Sequence, residues 1–342
     1  MNTPQPRTAL VTGATGYVGG LLVPRLLQEG YAVRVLTRSG SVDEAWAEEV
    51  DVHQGDATDP EDLRTALSGV DVAYYLLHSM DGGGDFVRRD REMAQGFGEA
   101  ARAEDVGRIV YLSGLHPEGE LSTHLASRVE VGEILLGSGV PTAVLQAATI
   151  IGQGSVSFEM LRYLTTRLPA MVAPKWLRNR IQPVGIDDVL HWLVAAAGLP
   201  AEVSRTFDIG GPDVLTYAEM MQLFAAETGQ RRRLIVTAPV LTPRLASHWV
   251  GLVTPVEAGV AKPLVGSLVH EVVCRERDLE GLVGAPPGGV TPYREAVRRA
   301  MDGVEPDPRH AVGVVSSVAA GATLLVLLAV LVASRRRPGR RG

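Results

Sequence analysis

Three absences narrow the class of protein before any motif is considered. The chain of 342 residues has a single cysteine, Cys274, which excludes an internal disulfide framework and a metal site built from clustered cysteines. The histidines show no His-x-x-x-His or Glu-x-x-His spacing, so no metal site is predicted. The first residues lead directly into an apolar run, without the charged and apolar regions of a signal peptide. We therefore expect the folded body to stay in the cytoplasm.

The distribution of charge separates the end of the chain from the rest. The formal net charge is −6, and it falls to −11 when the five arginines of residues 334–342 are left out. A body this acidic is not predicted to bind nucleic acid.

One long apolar segment stands near the end of the sequence. Residues 311–333 contain no charged side chain, and 23 residues in a helix can cross a hydrocarbon core of about 30 Å. Apolarity on every face favours a single-pass transmembrane anchor over a buried core helix. The Arg-rich tail, residues 334–342, would itself stay in the cytoplasm under the positive-inside rule. Because the body is expected there too, the orientation of the tail stays open.

A glycine-rich turn lies close to the start. It follows the apolar run from Thr8 to Val11 and opens a helix-like segment from Gly16 to Gln28. In the G-x-x-G-x-x-G pattern, Gly13 permits a tight turn, Gly16 lets the backbone approach a pyrophosphate, and Gly19 lets helix and strand pack closely. The phosphates would then lie at a helix N-terminus. The turn therefore predicts a dinucleotide-binding site.

Apolar runs alternate with segments of helical length through residues 1–152. The six predicted strands are Thr8–Thr12, Ala32–Thr37, Val50–Gly55, Asp71–His78, Arg108–Ser113 and Pro141–Gly152. This alternation predicts an α/β fold of the Rossmann type, a doubly wound parallel sheet with its ligand at the carboxyl ends of the strands. We expect later segments, at about residues 180–212, to complete the core of this domain.

The pattern changes after Gly152. Helical segments are predicted at Ser155–Arg167, Asp187–Gly198, Thr216–Gly229 and Pro243–Val273. Residues 153–305 are therefore predicted to form a smaller, mostly helical lobe that covers the sheet and contacts the substrate. A basic loop at residues 175–183 either closes over the cofactor or is a solvated loop.

The end of the second predicted strand bears on the choice of cofactor. It carries Arg38 and no Asp or Glu that could accept hydrogen bonds from a ribose 2′-hydroxyl. Arg38 can pair with a 2′-phosphate instead, and Arg34 is expected to point the same way. This favours NADP over NAD, unless Arg38 is simply a solvated loop residue. Asp56 is expected to accept from the adenine amino group, and Asp59 to cap a helix.

Five short motifs occur at residues 12–19, 55–56, 75–80, 109–114 and 207–212. Together they resemble the short-chain dehydrogenase/reductase superfamily. The resemblance is to its atypical, extended-type branch, with the NmrA-like proteins and the accessory dinucleotide-binding subunit of respiratory complex I. It covers Thr8 to about Ala300.

The resemblance implies roles for the ends of the fourth and fifth strands. Leu76, Leu77 and His78 are expected to lie against the cofactor ribose, and Ser113 to face the nicotinamide. With these, the expected cofactor-binding residues are Gly13, Thr15, Gly16, Tyr17, Val18, Gly19, Arg38, Asp56, Ala57, Leu76, Leu77, His78, Ser113 and Arg128.

The Tyr-x-x-x-Lys pair of this family is missing. The chain has two lysines, Lys175 and Lys262, and neither follows a tyrosine by four residues. His124 and Arg128 hold the corresponding i and i+4 positions after Ser113. In one interpretation His124 donates the proton, Arg128 binds the nicotinamide ribose and Ser113 assists catalysis. In the other, this helix carries ordinary surface charges.

Two functions are compatible with these observations. The first is a membrane-anchored NADP(H)-dependent oxidoreductase that transfers a hydride to a lipophilic or quinone-like small molecule, with NAD as the alternative cofactor. The second is a non-catalytic sensor or scaffold that binds the dinucleotide. The sequence identifies neither the substrate nor a protein partner.

Overall fold

The computed structural model describes residues 6–78, 86–117, 119, 121–238, 254 and 270–304. The predicted membrane segment, the Arg-rich tail and most of the predicted segment Pro243–Val273 lie outside these residues. Within the described ranges no helix combines the length and the apolarity that crossing a bilayer requires.

The strands and helices follow one another as the α/β pattern predicts. The strands are β1 (Thr8–Thr12), β2 (Ala32–Thr37), β3 (Asp51–Gln54), β4 (Val72–Tyr75), β5 (Arg108–Gly114), β6 (Thr142–Ala147), β7 (Ile150–Ile151), β8 (Ala170–Pro174), β9 (Arg180–Ile181), β10 (Val184–Gly185), β11 (Arg205–Ile209), β12 (Leu215–Thr216) and β13 (Leu234–Ala238). The helices are α1 (Tyr17–Gln28), α2 (Pro60–Leu67), α3 (Phe86–Ala103), α4 (Thr123–Leu136), α5 (Val156–Arg167), α6 (Ile186–Ala196), α7 (Tyr217–Glu227), α8 (Asp278–Val283) and α9 (Tyr293–Ala300). Short 3₁₀ turns occur at Ala47–Glu49 and Lys175–Arg178.

A seven-stranded sheet in the order β11-β6-β5-β4-β1-β2-β3 forms the centre of the molecule. All its neighbouring strands are parallel. The order reverses beside β1, so β1 and β4 diverge at the switch point where a ligand is expected. The predicted Rossmann-type fold is confirmed.

The predicted strands differ from the observed ones mainly toward the end of the sheet. The first two match, and the next three have ends that shift by one to three residues. The sixth, Pro141–Gly152, is divided: β6 ends at Ala147, and β7 leaves the main sheet to pair with β10. The seventh strand, β11, was not among the predicted strands and pairs with β6.

Both faces of the sheet are buried, which explains the apolar runs. In β1, Ala9 and Val11 face the cluster that contains residues of α1 and α6. Leu10 faces the opposite cluster, which contains residues of α2, α3 and α4. Alternate side chains of a strand point to opposite faces of the sheet. Because both faces are buried here, successive residues are apolar and the strand shows no alternation with polar residues.

The C-terminal lobe has its own core, in which α5, α7 and α9 pack together. The rings of Phe158 and Phe224 meet edge to face, with centroids 5.8 Å apart. Among the described residues of this lobe more lie in helices than in strands, and three two-stranded sheets, β7–β10, β9–β12 and β8–β13, were not predicted. Pro169 precedes β8 and Pro174 is its last residue; both disfavour a helix, and the stretch pairs with β13.

Candidate functional site

The turn formed by residues 13–19, here called the glycine turn, connects β1 to α1. Gly13 has a φ of +68°, in the left-handed region that favours glycine. A Cβ added at Gly13 would lie 2.7 Å from the carbonyl oxygen of Leu76, and one at Gly19 would collide with the carbonyl oxygen of Gly13. The Gly16 amide donates to that same oxygen at 2.9 Å. The turn therefore tolerates no side chain at Gly13 or Gly19.

The first turn of α1 is arranged for an anion. Gly16 is exposed, and a Cβ added there would have only the Gly13 oxygen as a neighbour, at 3.2 Å. Among the described residues no side chain caps the helix at Gly16, and its first turn contains no acidic residue. The amide groups and the positive end of the helix dipole are thus left for a ligand, which fits a pyrophosphate.

A threonine fixes the strand ends beside this turn. The Thr12 hydroxyl donates to the carbonyl oxygen of Tyr74 at 2.9 Å and accepts from the Leu76 amide at 3.1 Å. This pair of bonds joins β1 to β4 where the two strands diverge. It holds the residues that follow β4 against the glycine turn.

A cleft of about 290 Å³ opens at these strand ends. Its N-terminal wall consists of the glycine turn, the ends of β4 and β5, α4 and residues 147–150, whereas its C-terminal wall consists of residues from α5, β9, α7 and Val272. Ten expected site residues line it: Gly13, Gly16, Tyr17, Val18, Gly19, Leu76, His78, Ser113, His124 and Arg128. Thr15, Arg38, Asp56, Ala57 and Leu77 do not line it.

Arg128 is tied to the end of β5. Its Nη2 donates to the carbonyl oxygen of Leu112 at 2.6 Å, and its guanidinium lies 5.9 Å from the centre of the Tyr111 ring. The buried Ser113 hydroxyl donates to the Arg128 carbonyl oxygen at 3.3 Å. The buried Nε of Arg128 has no hydrogen-bond partner within the described part of the chain. Arg128 is thus positioned by the backbone while part of its guanidinium stays available to a ligand.

The two histidines of the cleft are uncharged at neutral pH. Burial, and next the charge of Arg128, lower the pKa of His124 to about 4, while the Asp90 carboxylate opposes this shift. Desolvation, and after it the charges of Arg128 and His124, also lowers the pKa of His78, although more than a third of this residue's surface is exposed. His124 is therefore a neutral imidazole at neutral pH. It can donate a hydrogen bond through its N–H group, but it is not an imidazolium that could act as an acid.

Arg38 and Asp56 lie outside the cleft, where β2 and β3 end. Arg38 is exposed. Asp56 accepts from the amide and hydroxyl of Thr58 at 2.9 and 2.8 Å. These bonds, and after them the charge of Arg38, lower the pKa of Asp56. Arg38 and an ionised Asp56 are thus both placed at the strand edge beside the glycine turn.

Arg34 and Asp59, which lie near these strand ends, both bond to neighbouring groups. The expectation for Arg34 is wrong: its guanidinium donates to Asp51 at 2.7 Å and to two backbone carbonyl oxygens near the end of α2. Asp51 is the register partner of Arg34 on β3, about four residues from the strand edge that bears Arg38. The prediction for Asp59 is confirmed, since its carboxylate accepts from the Glu61 and Asp62 amides and caps α2.

The basic loop at residues 175–183 is bound to the body of the protein. Arg180 forms an ion pair with Glu271 at 2.9 Å. The Gln182 side chain donates to the Gly211 carbonyl oxygen at 2.7 Å and accepts from the Cys274 amide at 2.9 Å. Ile181 lines the cleft.

Most residues of the C-terminal wall were not predicted from the sequence. Its lining residues are Val156, Ser157, Met160, Ile181, Tyr217 and Val272. They come from four separate segments and share no spacing that a pattern could detect. The capping box of Thr216 and Glu219 does mark where α7 begins, but it says nothing of what its first residue faces.

Comparisons with known proteins agree with this geometry. Residues 13–154 match the model of the NAD(P)H-binding family. A ceramide reductase of Caulobacter vibrioides is 29% identical over 232 residues, which are 66% of this chain and 72% of the relative. The mitochondrial NADH-ubiquinone oxidoreductase 40 kDa subunit of Neurospora crassa is 25% identical over 251 residues, covering 69% of this chain and 64% of that one.

Solved structures share the fold at low sequence identity. The Citrobacter sp. triphenylmethane reductase complexed with NADP(H) has a TM-score of 0.67 at 19% identity, covering 86% of this chain and 99% of that chain. The UDP-glucose 4-epimerase of Thermotoga maritima has a TM-score of 0.66 at 15% identity, covering 86% and 97%. Residues 13–154 are thus similar to the NAD(P)H-binding family, in a chain that resembles the atypical short-chain dehydrogenases/reductases.

Proposed function

We propose that the protein is an NADPH-dependent reductase of an uncharged, lipophilic carbonyl compound, either quinone-like or a lipid. One observation carries the proposal. The cleft joins the glycine turn to an apolar chamber, and Arg128 is the one side chain with a permanent charge among the residues that line it. In this proposal residues 1–152 bind the cofactor, residues 153–305 contact the substrate, and residues 311–333 anchor the protein to a membrane.

The chamber favours an uncharged substrate. Its apolar side chains are Leu115, Leu125, Val156, Met160, Ile181 and Val272. A charged group placed among them would lose its hydration without gaining a partner. A nucleotide sugar carries two phosphates, so this lining does not support epimerase chemistry despite the shared fold. A relative named ceramide reductase supports a lipid substrate.

The residues present fit a phosphorylated dinucleotide. The uncapped start of α1 and the open face of Gly16 suit the pyrophosphate. The exposed guanidinium of Arg38 can form charge-assisted hydrogen bonds with a 2′-phosphate, which favours NADPH over NADH. When bound, this cofactor supplies a hydride from the nicotinamide C4.

Reduction of a carbonyl group also needs a proton for the oxygen. We assign the nicotinamide side of the cleft to Arg128 and Ser113, which line it and are bonded to each other through the Arg128 carbonyl oxygen. A neutral His124 donates a hydrogen bond to the substrate oxygen, and water supplies the proton. The carbonyl carbon gains the hydride, the oxygen gains the proton, and an alcohol leaves.

The test is calorimetric titration of the full chain with NADPH and with NADH, followed by the nicotinamide absorbance in the presence of candidate substrates. The panel contains a short-chain quinone, a long-chain methyl ketone and a UDP-sugar. We expect tighter binding of NADPH and oxidation by the uncharged compounds only. Turnover of the UDP-sugar, or no binding of either nucleotide, would contradict the proposal.

A second function is favoured by the missing Tyr-x-x-x-Lys pair. The residue in the lysine position, Arg128, is bonded to a backbone carbonyl oxygen, and His124 is neutral. A sensor or scaffold needs to bind the dinucleotide, but it needs no proton donor. The match to a subunit of a respiratory complex points the same way. In the same titration, tight NADPH binding without turnover of any substrate would favour this alternative.

A further inference from the structure

Two buried tyrosines in the core of the C-terminal lobe differ in what their hydroxyls bond. The Tyr293 hydroxyl donates to the Met220 carbonyl oxygen at 3.0 Å. Tyr217 is 3% exposed, and its buried hydroxyl has no hydrogen-bond partner among the described residues. Tyr217 also lines the cleft, whereas Tyr293 does not. The unpartnered hydroxyl therefore belongs to a residue that borders the ligand space.

A buried hydroxyl without a partner is costly, and native proteins keep few of them. Phenylalanine would fill the same space without that cost. Burial raises the pKa of Tyr217, so its phenol stays protonated and can both donate and accept a hydrogen bond. Such a group suits a polar atom that arrives with a ligand.

The position of Tyr217 is fixed by its helix. It is the first residue of α7, next to a capping box in which the Glu219 amide donates to the Thr216 hydroxyl at 3.1 Å. The Thr216 amide donates in return to the Glu219 carboxylate at 2.7 Å. The Tyr217 ring is packed within the core cluster of this lobe. A ligand would thus meet a hydroxyl that is already held in place.

We propose that the Tyr217 hydroxyl recognises a second, uncharged polar group of the substrate, such as a hydroxyl or an amide, apart from the reacting carbonyl. This rests on the proposed reductase function and narrows its substrate class. Ser113, His124 and Arg128 belong to the N-terminal wall, whereas Tyr217 belongs to the C-terminal wall. The substrate is then an amphiphile whose chain carries a hydrogen-bonding group, and a plain alkyl ketone is a poorer ligand.

The test uses the full-length protein saturated with NADPH, or with NADP⁺ for binding alone. The probes are a long-chain methyl ketone and a series of the same ketone carrying one hydroxyl or amide at increasing distance from the carbonyl. The variants are Tyr217→Phe and, as the matched control, Tyr293→Phe. The measurements are the unfolding midpoint of the free protein, the Kd of each ketone, and kcat and KM.

We expect Tyr217→Phe to keep or raise the unfolding midpoint and to weaken binding of at least one polar ketone about tenfold, as for the loss of one neutral hydrogen bond. Its affinity for the plain ketone should fall by much less, so that the preference for the polar ketone is lost. Tyr293→Phe should lower the midpoint and leave the ranking of the ketones as it is. If Tyr217→Phe lowers the midpoint as Tyr293→Phe does, or ranks all ketones as the wild type does, the hydroxyl is structural and the proposal is wrong.

The two proposals fail in different ways. A wild-type protein that binds a polar ketone more tightly than the plain one, loses that preference in Tyr217→Phe and reduces neither would refute the reductase and support the role of Tyr217. A wild-type protein that reduces both ketones equally, with no change in Tyr217→Phe, would support the reductase and refute this role. Absence of binding to every ketone would refute both.

Discussion

Beside the side chains of α4, the N-terminal wall of the cleft contains a part made of main chain, the glycine turn, here called the main-chain wall; the C-terminal wall is built from side chains. The N-terminal wall uses glycines, strand ends and the start of α1, so its ligand would meet amide groups. The C-terminal wall uses side chains from four segments that the fold brings together. A main-chain wall tolerates almost no substitution, whereas a side-chain wall changes with each residue. Substitutions at Gly19, Arg38, Val156 and His124 test this contrast, in descending order of expected effect.

Gly19→Ala should have the largest effect. The new Cβ would collide with the Gly13 carbonyl oxygen and lie 2.9 Å from the Cα of Ala14, and neither backbone atom can move alone. We expect a loss of about 3 kcal/mol or more in the free energy of unfolding, together with loss of NADPH binding. Urea denaturation and calorimetry measure the two.

Gly20→Ala is the matched control for that variant. A Cβ there would lie 3.4 Å from the Ala14 carbonyl oxygen, an ordinary contact. Because alanine favours a helix interior over glycine, this variant should gain about 0.5–1 kcal/mol. If Gly20→Ala lost as much stability and NADPH affinity as Gly19→Ala, the close approach at Gly19 would not be the cause of the losses.

Arg38→Ala removes a side chain that lies outside the cleft and is proposed to bind the 2′-phosphate of the cofactor. We expect the affinity for NADPH to fall about tenfold to a hundredfold, because a charge-assisted hydrogen bond contributes about 1.5–3 kcal/mol. Binding of NADH should not change. Arg34→Ala, which loses the bond to Asp51 instead, should leave the preference between the nucleotides intact. Unchanged NADPH affinity in Arg38→Ala would refute the assignment of the 2′-phosphate.

Val156→Asp tests the C-terminal wall alone. Val156 is partly exposed and opens α5, where an acidic residue interacts favourably with the helix dipole. The fold and NADPH binding should therefore persist. A carboxylate in the chamber should raise the KM for a long-chain ketone about tenfold, whereas Val156→Thr, of similar shape, should raise it less. A KM that stays the same in the aspartate variant would place the substrate elsewhere.

The pH dependence of stability reports on His124 in the N-terminal wall. Its pKa falls from an unfolded value of 6.5 to about 4 in the folded protein. Between these values the unfolded chain binds the extra proton, so stability is full above pH 6.5 and decreases as the pH falls toward about 4. His124→Gln should remove about 1–2 kcal/mol of this acid lability, measured by urea denaturation across that range. A slope equal to that of the wild type would show that His124 is not shielded from water.

Sequence patterns predict the main-chain wall well because each of its parts is local. Gly13, Gly16 and Gly19 lie within seven residues, and the strand before them is apolar on both faces. The strand β11 was missed because its partner, β6, lies more than fifty residues earlier, and its own five residues include Arg205 and Asp208. β11 lies within the segments expected to complete the domain, at about residues 180–212, but only the pairing shows that it is a strand of the sheet.

Side-chain partners were harder to predict than strands. Arg34 lies in β2 and Arg38 directly follows that strand, so the sequence does not distinguish their roles. Only the register of β2 with β3 shows that Arg34 meets Asp51. Tyr217 gives no signal of its own, since its place in the cleft depends on how α7 packs against the rest of the lobe. Long-range packing of this kind leaves no periodic trace in one sequence.

The contact between Gly13 and Leu76 has a consequence for how this fold can change over evolutionary time. The Leu76 carbonyl oxygen lies so close to Gly13 that any side chain at position 13 would collide with it. No sequence of single substitutions can therefore replace this glycine. Val156, which is partly exposed in the C-terminal wall, carries no such restriction and can be exchanged. New substrate preferences can therefore arise by single substitutions in one wall, while the chemistry inherited through the other stays constant.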